Sequence, residues 1–528
     1  MRIKFWLIRI GFLLLFGGLL AHIYNVQVLQ KPYYTQRAAA QAEAAGALEP
    51  SRGVLFFTDK NQNTYPAVVN KEYPLVFAVP IEIENPRSDA SAIAPIFGLD
   101  ADALAVSFAK PRDQYEVIAE KANPQQVAQV RDLGIQGIHT RSEIFRFYPG
   151  KEMAAHVLGF VASAPAGGVE GKYGIELLFN EELREEKDIH LTIDRNVQVE
   201  SERIIRELVE EWEAESASVL VQEPISGKIL AMANLPAFDP NTYGSYPISS
   251  FLNQSVQSVY EPGSVFKIIT MSAGFDSGKL TPETTYEDPG YVILNGKKLQ
   301  NWDLKAHGLQ TMRQVIEKSL NTGTVFAERR IGHDTFRDYV RAFGFGEKTG
   351  IRLPGEVDGS LHNISKREDV NYATASYGQG ISVTPIQMIS AASAIANKGL
   401  LMRPLIRADE AQEVIRRVMS EETAREMTGV LVGSVDVNVL AHIPQYEVAG
   451  KTGTAFVPDF TRGGYTDQVI NTFIGYAPAS DPKFTILIKL VKPKNAPLAG
   501  QTVVPAFKKL TEYLLNYYQI APDRIANG

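Results

Sequence analysis

The placement of strand-like segments between residues 189 and 520 constrains the fold of this chain more than any other feature. Near the start of this stretch, runs of β-forming residues predict a hairpin of Ser218–Gln222 with Lys228–Ala233. A second hairpin, Ile470–Tyr476 with Phe484–Val491, is predicted near its end. The middle of this stretch, about 240–440, is predicted to be mostly helical with loops. Strands distant in sequence then meet in one antiparallel sheet, which predicts an α/β sandwich with the sheet between helical layers.

Helices are predicted at several points around this sheet. A short strand at Ile189–Ile193 leads to Asp194, whose carboxylate can cap the helix that follows. Thr384, placed directly before Pro385, predicts another helix start. Apolar residues at helical spacing predict a last helix over about Val503–Tyr517.

Composition excludes several classes of protein. With 528 residues, the chain is long enough for two or three domains. Lys and Arg number 53 and Asp and Glu number 60, and this formal net charge of −7 gives no support for nucleic-acid binding. The absence of cysteine excludes disulfides, thiolate zinc sites and a cysteine nucleophile. None of the eight histidines has the spacing of a zinc-binding motif, so we expect no metal.

The N-terminus has the pattern of a membrane anchor. Residues 1–9 carry three basic side chains and no acidic one, and the 21 residues from Ile10 to Gln30 carry no formal charge. As a helix these residues span about 31 Å, the thickness of a hydrocarbon core. The basic flank predicts a cytoplasmic N-terminus and an extracytoplasmic remainder. A cleaved signal peptide is the alternative, although no typical cleavage site follows the apolar run.

Residues 31–188 contain no cluster of potential catalytic side chains and are interpreted as a spacer or docking module. Short strands are predicted at Ala67–Val69 and Leu75–Ile81, and helices at Ala101–Phe108 and Pro124–Leu133. The predicted order is a cytoplasmic tail (1–9), a transmembrane anchor (10–30), an elongated α+β pedestal (31–188), an α/β domain (189–520) and a tail (521–528).

Ser264 and Lys267 form an S-x-x-K pattern after the turn Glu261–Gly263. A helix that begins near Ser264 places both residues on one face, where the hydroxyl and the amine can touch. The serine then lies at a helix N-terminus, where free backbone N–H groups and the helix dipole stabilise negative charge. Two other matches, Ser107–Lys110 and Ser480–Lys483, lack this context and are interpreted as structural.

Two further motifs follow along the chain. Ser319-Leu320-Asn321 comes after an amphipathic run, and Lys451-Thr452-Gly453-Thr454 lies in a predicted strand, Tyr446–Val457. Glycine in a strand lets another backbone or a ligand approach closely. A second Lys-Thr-Gly, Lys348–Gly350, is interpreted as a loop. Each motif is weak alone, but the three in this order and context predict acyl transfer through a serine ester.

This chemistry requires a base for the serine, and Lys267 can serve only when neutral. Lowering a lysine pKa from about 10.4 to about 7 requires about 4.6 kcal/mol, and both burial and the charge of Lys451 act in this direction. Ser319 can relay a proton to the leaving amine. The main-chain N–H groups of Ser264 and Thr454 are candidates for an oxyanion hole. A cation and two hydroxyls on the predicted strand suit a substrate carboxylate.

At these residues the chain resembles class B penicillin-binding proteins, which are monofunctional peptidoglycan D,D-transpeptidases. The likeness covers the anchor and nearly everything from about residue 140. It is carried by Arg146–Pro149, His156–Phe160, Gly174–Glu176, Leu191–Asp194, Ser376–Gly380 and Thr384–Gln387. The segment Gly463–Pro478 is more similar to the division branch of the family than to the elongation branch. Arg52-Gly53 is present, but the family's usual Asp-Arg-Asn-Gly is replaced by Thr58–Asn61, which leaves the N-terminal module less constrained.

The resemblance assigns roles to the motif residues. The implied catalytic residues are Ser264 as nucleophile, Lys267 as base, and Ser319, Asn321 and Lys451. The implied substrate-binding residues are Thr452, Gly453 and Thr454. The family's reaction forms an acyl-enzyme from a stem peptide ending in D-Ala-D-Ala, releases D-Ala and passes the acyl group to an amine of a neighbouring stem.

The resemblance also implies covalent inhibition by β-lactams and a role in septal cell-wall synthesis. It implies no metal or cofactor. The implied partners are a polytopic glycosyltransferase and division proteins, at the inner or plasma membrane. Three alternatives stay open: an elongation-type transpeptidase, a D,D-carboxypeptidase or β-lactamase, and a penicillin-binding scaffold without turnover.

Overall fold

The computed structural model describes residues 51–524 except 112, 165–167, 439, 460 and 496–497. Nearer the N-terminus, it describes residues 6, 15–20, 22–25, 27 and 30. Much of the predicted anchor at 10–30 therefore lies outside the described residues, as does most of the first part of the predicted pedestal. Within the described residues, no helix combines the length and the apolar character needed to cross a membrane.

The N-terminal part is built around one long, bent strand. Its elements in chain order are β1 (Leu55–Thr58), β2 (Thr64–Ala78), α1 (Pro86–Phe97), α2 (Ala101–Phe108), β3 (Glu116–Ala119), α3 (Pro124–Leu133), β4 (Ile138–Phe147), α4 (Ala155–Leu158), β5 (Val161–Ser163), β6 (Val169–Gly171), α5 (Gly174–Leu178) and α6 (Asn180–Arg184). Strand β2 pairs antiparallel with β1, β3 and β4. The predicted helices at 101–108 and 124–133 are confirmed as α2 and α3.

Two separate short strands were predicted in this part, and that prediction was wrong because the structure has one long strand there. Ala67–Val69 and Leu75–Ile81 belong to the single 15-residue strand β2, which ends at Ala78. Pro80 opens a turn of 3-10 helix, Pro80–Glu82, because proline is favoured at the first position of a helix, where its missing N–H has no partner to lose.

A buried ion cluster ties the N-terminal part together. Glu176 is fully buried, and its two carboxylate oxygens accept hydrogen bonds from Arg52 Nη2 at 2.9 Å and Arg146 Nε at 2.7 Å. Arg52 also donates to Asn180 Oδ1 at 3.2 Å, and Arg146 donates to Asn70 Oδ1 at 3.1 Å. Arg146 and Glu176 belong to segments that carried the sequence resemblance, and Arg52 lies just before Gly53, ahead of the stretch where the chain departs from the family pattern. The buried cluster therefore joins these segments, which are distant in sequence, in the folded chain.

The C-terminal part contains the predicted sandwich. Its elements are β7 (Ile189–Asp194), α7 (Arg195–Trp212), β8 (Ser216–Gln222), β9 (Ile229–Leu235), α8 (Gln254–Gln257), α9 (Lys267–Asp276), β10 (Thr285–Asp288), β11 (Tyr291–Leu294), β12 (Lys297–Gln300), β13 (Gly308–Thr311), α10 (Met312–Glu317), α11 (Asn321–Ile331), α12 (His333–Ala342), α13 (Asp369–Ala375), α14 (Pro385–Ala396), β14 (Leu400–Met402), β15 (Val414–Arg417), α15 (Glu421–Asp436), β16 (Ala449–Pro458), β17 (Tyr465–Ala477), β18 (Phe484–Val491) and α16 (Val503–Tyr517).

The main sheet has the order β16-β17-β18-β8-β9 with antiparallel neighbours. Strand β18 pairs with β8, so the prediction that sequence-distant strands share one sheet is confirmed. Alternate residues of β18 face opposite sides, as the pleat requires. Ile486 and Ile488 pack in the core with α7 and α16, whereas Leu487 packs in the core with α14. Both faces of the sheet are thus covered by helices.

The predicted helix starts around this sheet are confirmed. The Asp194 carboxylate accepts from the N–H groups of Asn196 and Val197 at the start of α7. Thr384 and Gln387 form a reciprocal capping box at the start of α14. The last predicted helix is α16, with the predicted bounds.

The prediction that about 240–440 is mostly helical with loops was incomplete. The pairs β10–β13, β11–β12 and β14–β15 are short antiparallel strands inserted in this region. Three- and four-residue strands carry too few side chains to show a period. One signal was available, because Asn295-Gly296 forms the turn between β11 and β12 with φ of 48° and 76°.

Strand β7 links the two parts of the chain. It pairs parallel with β1 and so extends the N-terminal sheet. Thr192 of β7 contacts the main-chain oxygens of Ile229 and Leu405 through its hydroxyl, at 2.7 and 2.9 Å. Nearby, Glu202 of α7 accepts from the N–H of Ala154 at 2.7 Å. Backbone pairing and side-chain hydrogen bonds therefore both cross this junction.

Candidate active site

Ser264 lies at the point where the chain turns into a helix. A turn of 3-10 helix, Gly263–Phe266, runs directly into α9, which begins at Lys267. The preceding glycine has a φ of 58°, and a Cβ there would lie 3.0 Å from the Cβ of Ala455 on β16. Glycine therefore allows the turn to lie directly against the strand that carries the third motif.

Lys267 is fully buried and directs its amine at the second motif. Its Nζ donates to the main-chain oxygen of Ser319 at 2.6 Å, to Asn321 Oδ1 at 2.8 Å and to Ser319 Oγ at 3.3 Å. These contacts join the first two motifs, which are separated by 52 residues in the chain. The predicted contact between the Ser264 hydroxyl and this amine is not present, because the amine's hydrogen bonds all go to the second motif within the described residues. Catalytic hydrogen bonds often form only when substrate binds.

Ser319 lies between two lysines and has an unusual backbone conformation. Its φ is 58°, which a non-glycine residue rarely adopts, and it immediately precedes α11. Its hydroxyl accepts from Lys451 Nζ at 3.0 Å as well as from Lys267. The strained turn therefore points one hydroxyl at both lysines, a feature that the sequence pattern did not reveal.

Asn321 is fixed from both ends of its amide. Its oxygen accepts from Lys267, and its Nδ2 donates to the main-chain oxygen of Gln300 at 2.8 Å. Gln300 ends β12, one of the short strands that the sequence analysis did not predict. The inserted strands thus contribute directly to the orientation of the second motif.

The third motif lies on β16, at one edge of the main sheet. Lys451 is buried, and its Nζ also donates to the main-chain oxygen of Thr452 at 3.0 Å. A Cβ at Gly453 would lie 3.0–3.1 Å from Val265 and Pro262, so the strand approaches the serine turn without a side chain between them. The Thr454 hydroxyl accepts from the N–H of Ala499 at 3.1 Å. Its own O–H has no acceptor among the described residues and is available to donate to a ligand.

The electrostatics of the site favour a neutral amine. Neither Lys267 nor Lys451 has a carboxylate partner within the part of the chain that the structure describes. Burial lowers the pKa of Lys451 to about 7. Burial also lowers the pKa of Lys267 well below its usual value, and the nearby charge of Lys451 lowers it further. Both effects favour the neutral amine that a general base requires, so the surroundings of Lys267 suit it to act as a base.

The other matches to the motif patterns, which were interpreted as structural, have ordinary surroundings. Lys110 follows α2 and pairs with Glu116. Lys483 lies between β17 and β18 and pairs with Asp481 at 2.5 Å. In the second Lys-Thr-Gly, the Thr349 hydroxyl donates to Glu356 at 2.5 Å. The interpretation of these matches as structural agrees with these contacts.

One contact at the rim of the site was not predicted. Glu261, three residues before Ser264, accepts from the Tyr465 hydroxyl at 2.9 Å and from the N–H of Gly380 at 3.0 Å. Burial raises the pKa of Glu261 above its ordinary value. These bonds hold Tyr465, the first residue of β17, close to the turn that carries Ser264. No local pattern marks this pair, because the two residues are 204 positions apart.

The fold and the site define a penicillin-binding transpeptidase-like protein, and comparison with known families agrees. The Penicillin binding protein transpeptidase domain matches residues 217–512, and the Penicillin-binding Protein dimerisation domain matches residues 48–216. Because the first covers more than half of the chain, the chain belongs to the penicillin-binding protein transpeptidase family. The resemblance inferred from the motifs is confirmed.

Individual relatives match along nearly the whole chain. Stage V sporulation protein D of Bacillus subtilis is 30% identical, over 94% of this chain and 83% of that protein. Peptidoglycan D,D-transpeptidase FtsI of Escherichia coli is 27% identical, over 98% of this chain and 92% of that protein. Penicillin binding protein 3 of Mycobacterium tuberculosis, solved with aztreonam, is 25% identical with a TM-score of 0.69, over 90% of this chain and 98% of that one. Penicillin Binding Protein 2X of Streptococcus thermophilus shares the fold, with a TM-score of 0.73 at 20% identity, over 90% and 81%.

Proposed function

We propose that this chain is a serine D,D-transpeptidase that cross-links peptidoglycan stem peptides through an acyl-enzyme on Ser264. The proposal rests mainly on one observation. Lys267 and Lys451 are both buried without a carboxylate partner among the described residues, and both donate a hydrogen bond to the Ser319 hydroxyl. Relatives with the same two domains bear the name peptidoglycan D,D-transpeptidase, which supports the reaction class.

In the first half of the proposed reaction, neutral Lys267 takes the proton of Ser264. The serine oxygen attacks the carbonyl carbon of the penultimate D-Ala, and the main-chain N–H groups of Ser264 and Thr454 stabilise the resulting oxyanion. The C–N bond breaks, and a proton reaches the leaving amine through the Ser319 hydroxyl. D-Ala leaves, and an ester remains on Ser264.

Recognition of the donor follows from the third motif. Lys451 supplies a cation, and the hydroxyls of Thr452 and Thr454 supply hydrogen-bond donors for the terminal carboxylate. Because Lys451 also donates to Ser319, carboxylate binding and proton relay are coupled through one amine.

In the second half, an amine of a neighbouring stem attacks the ester carbon. The amine loses a proton, the serine oxygen regains one, and an amide cross-link replaces the ester. Water attacking instead would give a carboxypeptidase or a β-lactamase. The two outcomes differ only in the nucleophile, so product analysis separates them.

The test uses the full chain in detergent, a donor stem peptide ending in D-Ala-D-Ala and an amine acceptor. We expect D-Ala release together with a cross-linked product by mass spectrometry, and neither product with Ser264→Ala. Hydrolysed donor as the dominant product with abundant acceptor would contradict the transferase and favour the hydrolytic alternative. Absence of both products from a folded protein would favour the scaffold.

We also propose that residues 10–30 hold the enzyme in the cell membrane, with residues 31–188 and 189–520 outside the cytoplasm. The uncharged stretch and its basic flank support this topology. A role in septal synthesis is supported by the division-like segment Gly463–Pro478, with a polytopic glycosyltransferase as the proposed partner. Imaging of a fluorescent fusion tests the role: enrichment at the septum is expected, and uniform lateral-wall signal would favour an elongation enzyme.

A further inference from the structure

A cavity of about 300 Å³ lies beside the third motif, between α10, α15 and the edge strand β16. Thr452 of the motif forms part of its wall. Val435 and Phe473 supply an apolar wall, and Glu317 and Ser434 supply polar atoms. The cavity therefore adjoins the proposed substrate cleft at Thr452.

Glu317 gives this cavity a negative charge. It lies two residues before Ser319, at the end of α10. Its carboxylate has no hydrogen-bond or ion-pair partner among the residues that the structure describes. A carboxylate without a counter-ion at a cavity wall attracts a cationic ligand.

The helix opposite is shaped to leave room for this carboxylate. Gly433 lies inside α15, and a Cβ at that position would be 3.1 Å from Glu317 Oε1. Glycine inside a helix costs about 0.5–1 kcal/mol relative to alanine. The open space beside the carboxylate is therefore kept at some expense of helix stability.

The lining specifies the chemical class of ligand. One carboxylate and two hydroxyls accept hydrogen bonds from an ammonium group, and the apolar wall suits a short alkyl chain. The position next to Thr452 becomes accessible once D-Ala has left with its carboxylate. A diamino acid side chain, which is an alkyl chain ending in an amine, has the required character.

We propose that this cavity binds the amine-bearing side chain of the acceptor stem, with Glu317 as its counter-charge. The proposal rests on the proposed transpeptidase function. The acceptor arrives as R–NH3⁺ and releases one proton to solvent to become R–NH2. The amine then attacks the ester carbon, the C–O bond to Ser264 breaks, and the second proton passes to the serine oxygen.

The test uses the full chain in detergent. It measures the rate of acylation by a donor depsipeptide. It also measures the ratio of aminolysis to hydrolysis while the concentration of a lysine-type acceptor is varied. Glu317→Gln is expected to raise the KM for the acceptor and to lower the aminolysis-to-hydrolysis ratio about tenfold more than it lowers acylation. Gly433→Ala is expected to lower the same ratio, because the new methyl group displaces the Glu317 carboxylate. The same substitution is expected to raise the melting temperature, because alanine is more stable than glycine inside a helix. Glu422→Gln, at the exposed N-terminal end of α15, is the matched control.

The outcomes separate this proposal from the proposed function. An unchanged acceptor KM in Glu317→Gln overturns the acceptor site, even if cross-linking proceeds. Faster acylation in Glu317→Gln without a change in the ratio also overturns it, because the cavity then serves the donor. If the wild-type protein is not acylated at all, the proposed function itself fails.

Discussion

At the scale of single residues, the two buried lysines differ in what lowers their pKa values. Burial alone lowers the pKa of Lys451, whereas Lys267 is affected by burial and by the positive charge of Lys451. The two amines also share one acceptor, the hydroxyl of Ser319. Any change at one lysine must therefore alter the protonation of the other.

This coupling predicts the effect of Lys451→Met on the pH dependence of acylation. Removing one positive charge makes protonation of Lys267 easier and raises its pKa. The acid limb of the acylation rate, measured with a fluorescent penicillin between about pH 4 and 9, is therefore expected to move to higher pH. The rate at neutral pH is expected to fall at least about tenfold. Lys348→Met, in the second Lys-Thr-Gly, is the control, and an acid limb that stays in place would contradict the coupling.

The sequence motifs named most of the residues that meet in the site, but not how they meet. Lys267, Ser319, Asn321 and Lys451 come together as the motif spacing and context led us to expect. The direct bond between Ser264 and Lys267 is absent. The left-handed conformation of Ser319 was not predicted, because a strained φ depends on the surrounding structure rather than on the local residue type.

At the scale of elements, Glu202 of α7 shows how burial affects the junction. Burial raises the pKa of Glu202 to about 7 while it accepts from the N–H of Ala154. An acid with a raised folded-state pKa binds more protons in the folded than in the unfolded chain, so its contribution to stability falls as pH rises from about 4.5 to 7. The loss is complete above pH 7.

Glu202→Gln is therefore expected to stabilise the protein at pH 8 relative to its effect at pH 4. The difference in unfolding free energy is expected to be about 1–3 kcal/mol, measured by urea denaturation at both pH values. Glu210→Gln, on the exposed face of the same helix, is the control. Equal effects of Glu202→Gln at the two pH values would show that the carboxylate is not penalised by burial.

The ion cluster in the N-terminal part predicts a larger effect. Glu176→Gln leaves Arg52 and Arg146 buried without their counter-ion, and we expect a loss of about 3–5 kcal/mol in the free energy of unfolding. Glu181→Gln removes an exposed charge 4.0 Å from Arg184 and is expected to cost less than about 1 kcal/mol. Equal losses in the two variants would mean that the buried cluster contributes no more than a surface pair.

Elements with long amphipathic or capped sequences were predicted well. Asp194, Thr384 and the apolar spacing of the last helix each identified a helix that the structure contains. The short strands β10–β15 were not predicted, because three or four residues are too few to show alternation. Their pairing depends on the tertiary structure, apart from the Asn295-Gly296 turn.

At the scale of the whole molecule, β7 joins the N-terminal and C-terminal parts into one continuous structure. It extends the N-terminal sheet by pairing with β1, and its Thr192 hydroxyl contacts two segments of the C-terminal part. We therefore expect one calorimetric unfolding transition for the full chain in detergent. Glu176→Gln is expected to lower the temperature of that single transition. Two separated transitions, of which Glu176→Gln shifts only the lower, would contradict this continuity.

The overall arrangement could be predicted because the two hairpins lie at opposite ends of one long stretch. Strand β18 pairs with β17 on one side within its own hairpin and with β8 of the first hairpin on the other, which joins the two hairpins in one sheet. The extension of the N-terminal sheet by β7 could not be predicted, because parallel pairing of two short strands leaves no local signal in either.

The most direct test of the account is intact-protein mass spectrometry after incubation with a β-lactam. We expect the wild-type chain to gain one drug mass, Ser264→Ala to gain none, and Ser107→Ala, in another S-x-x-K match, to be labelled like the wild type. Labelling of folded Ser264→Ala, or no labelling of the folded wild type, would contradict the assignment of Ser264 as the nucleophile.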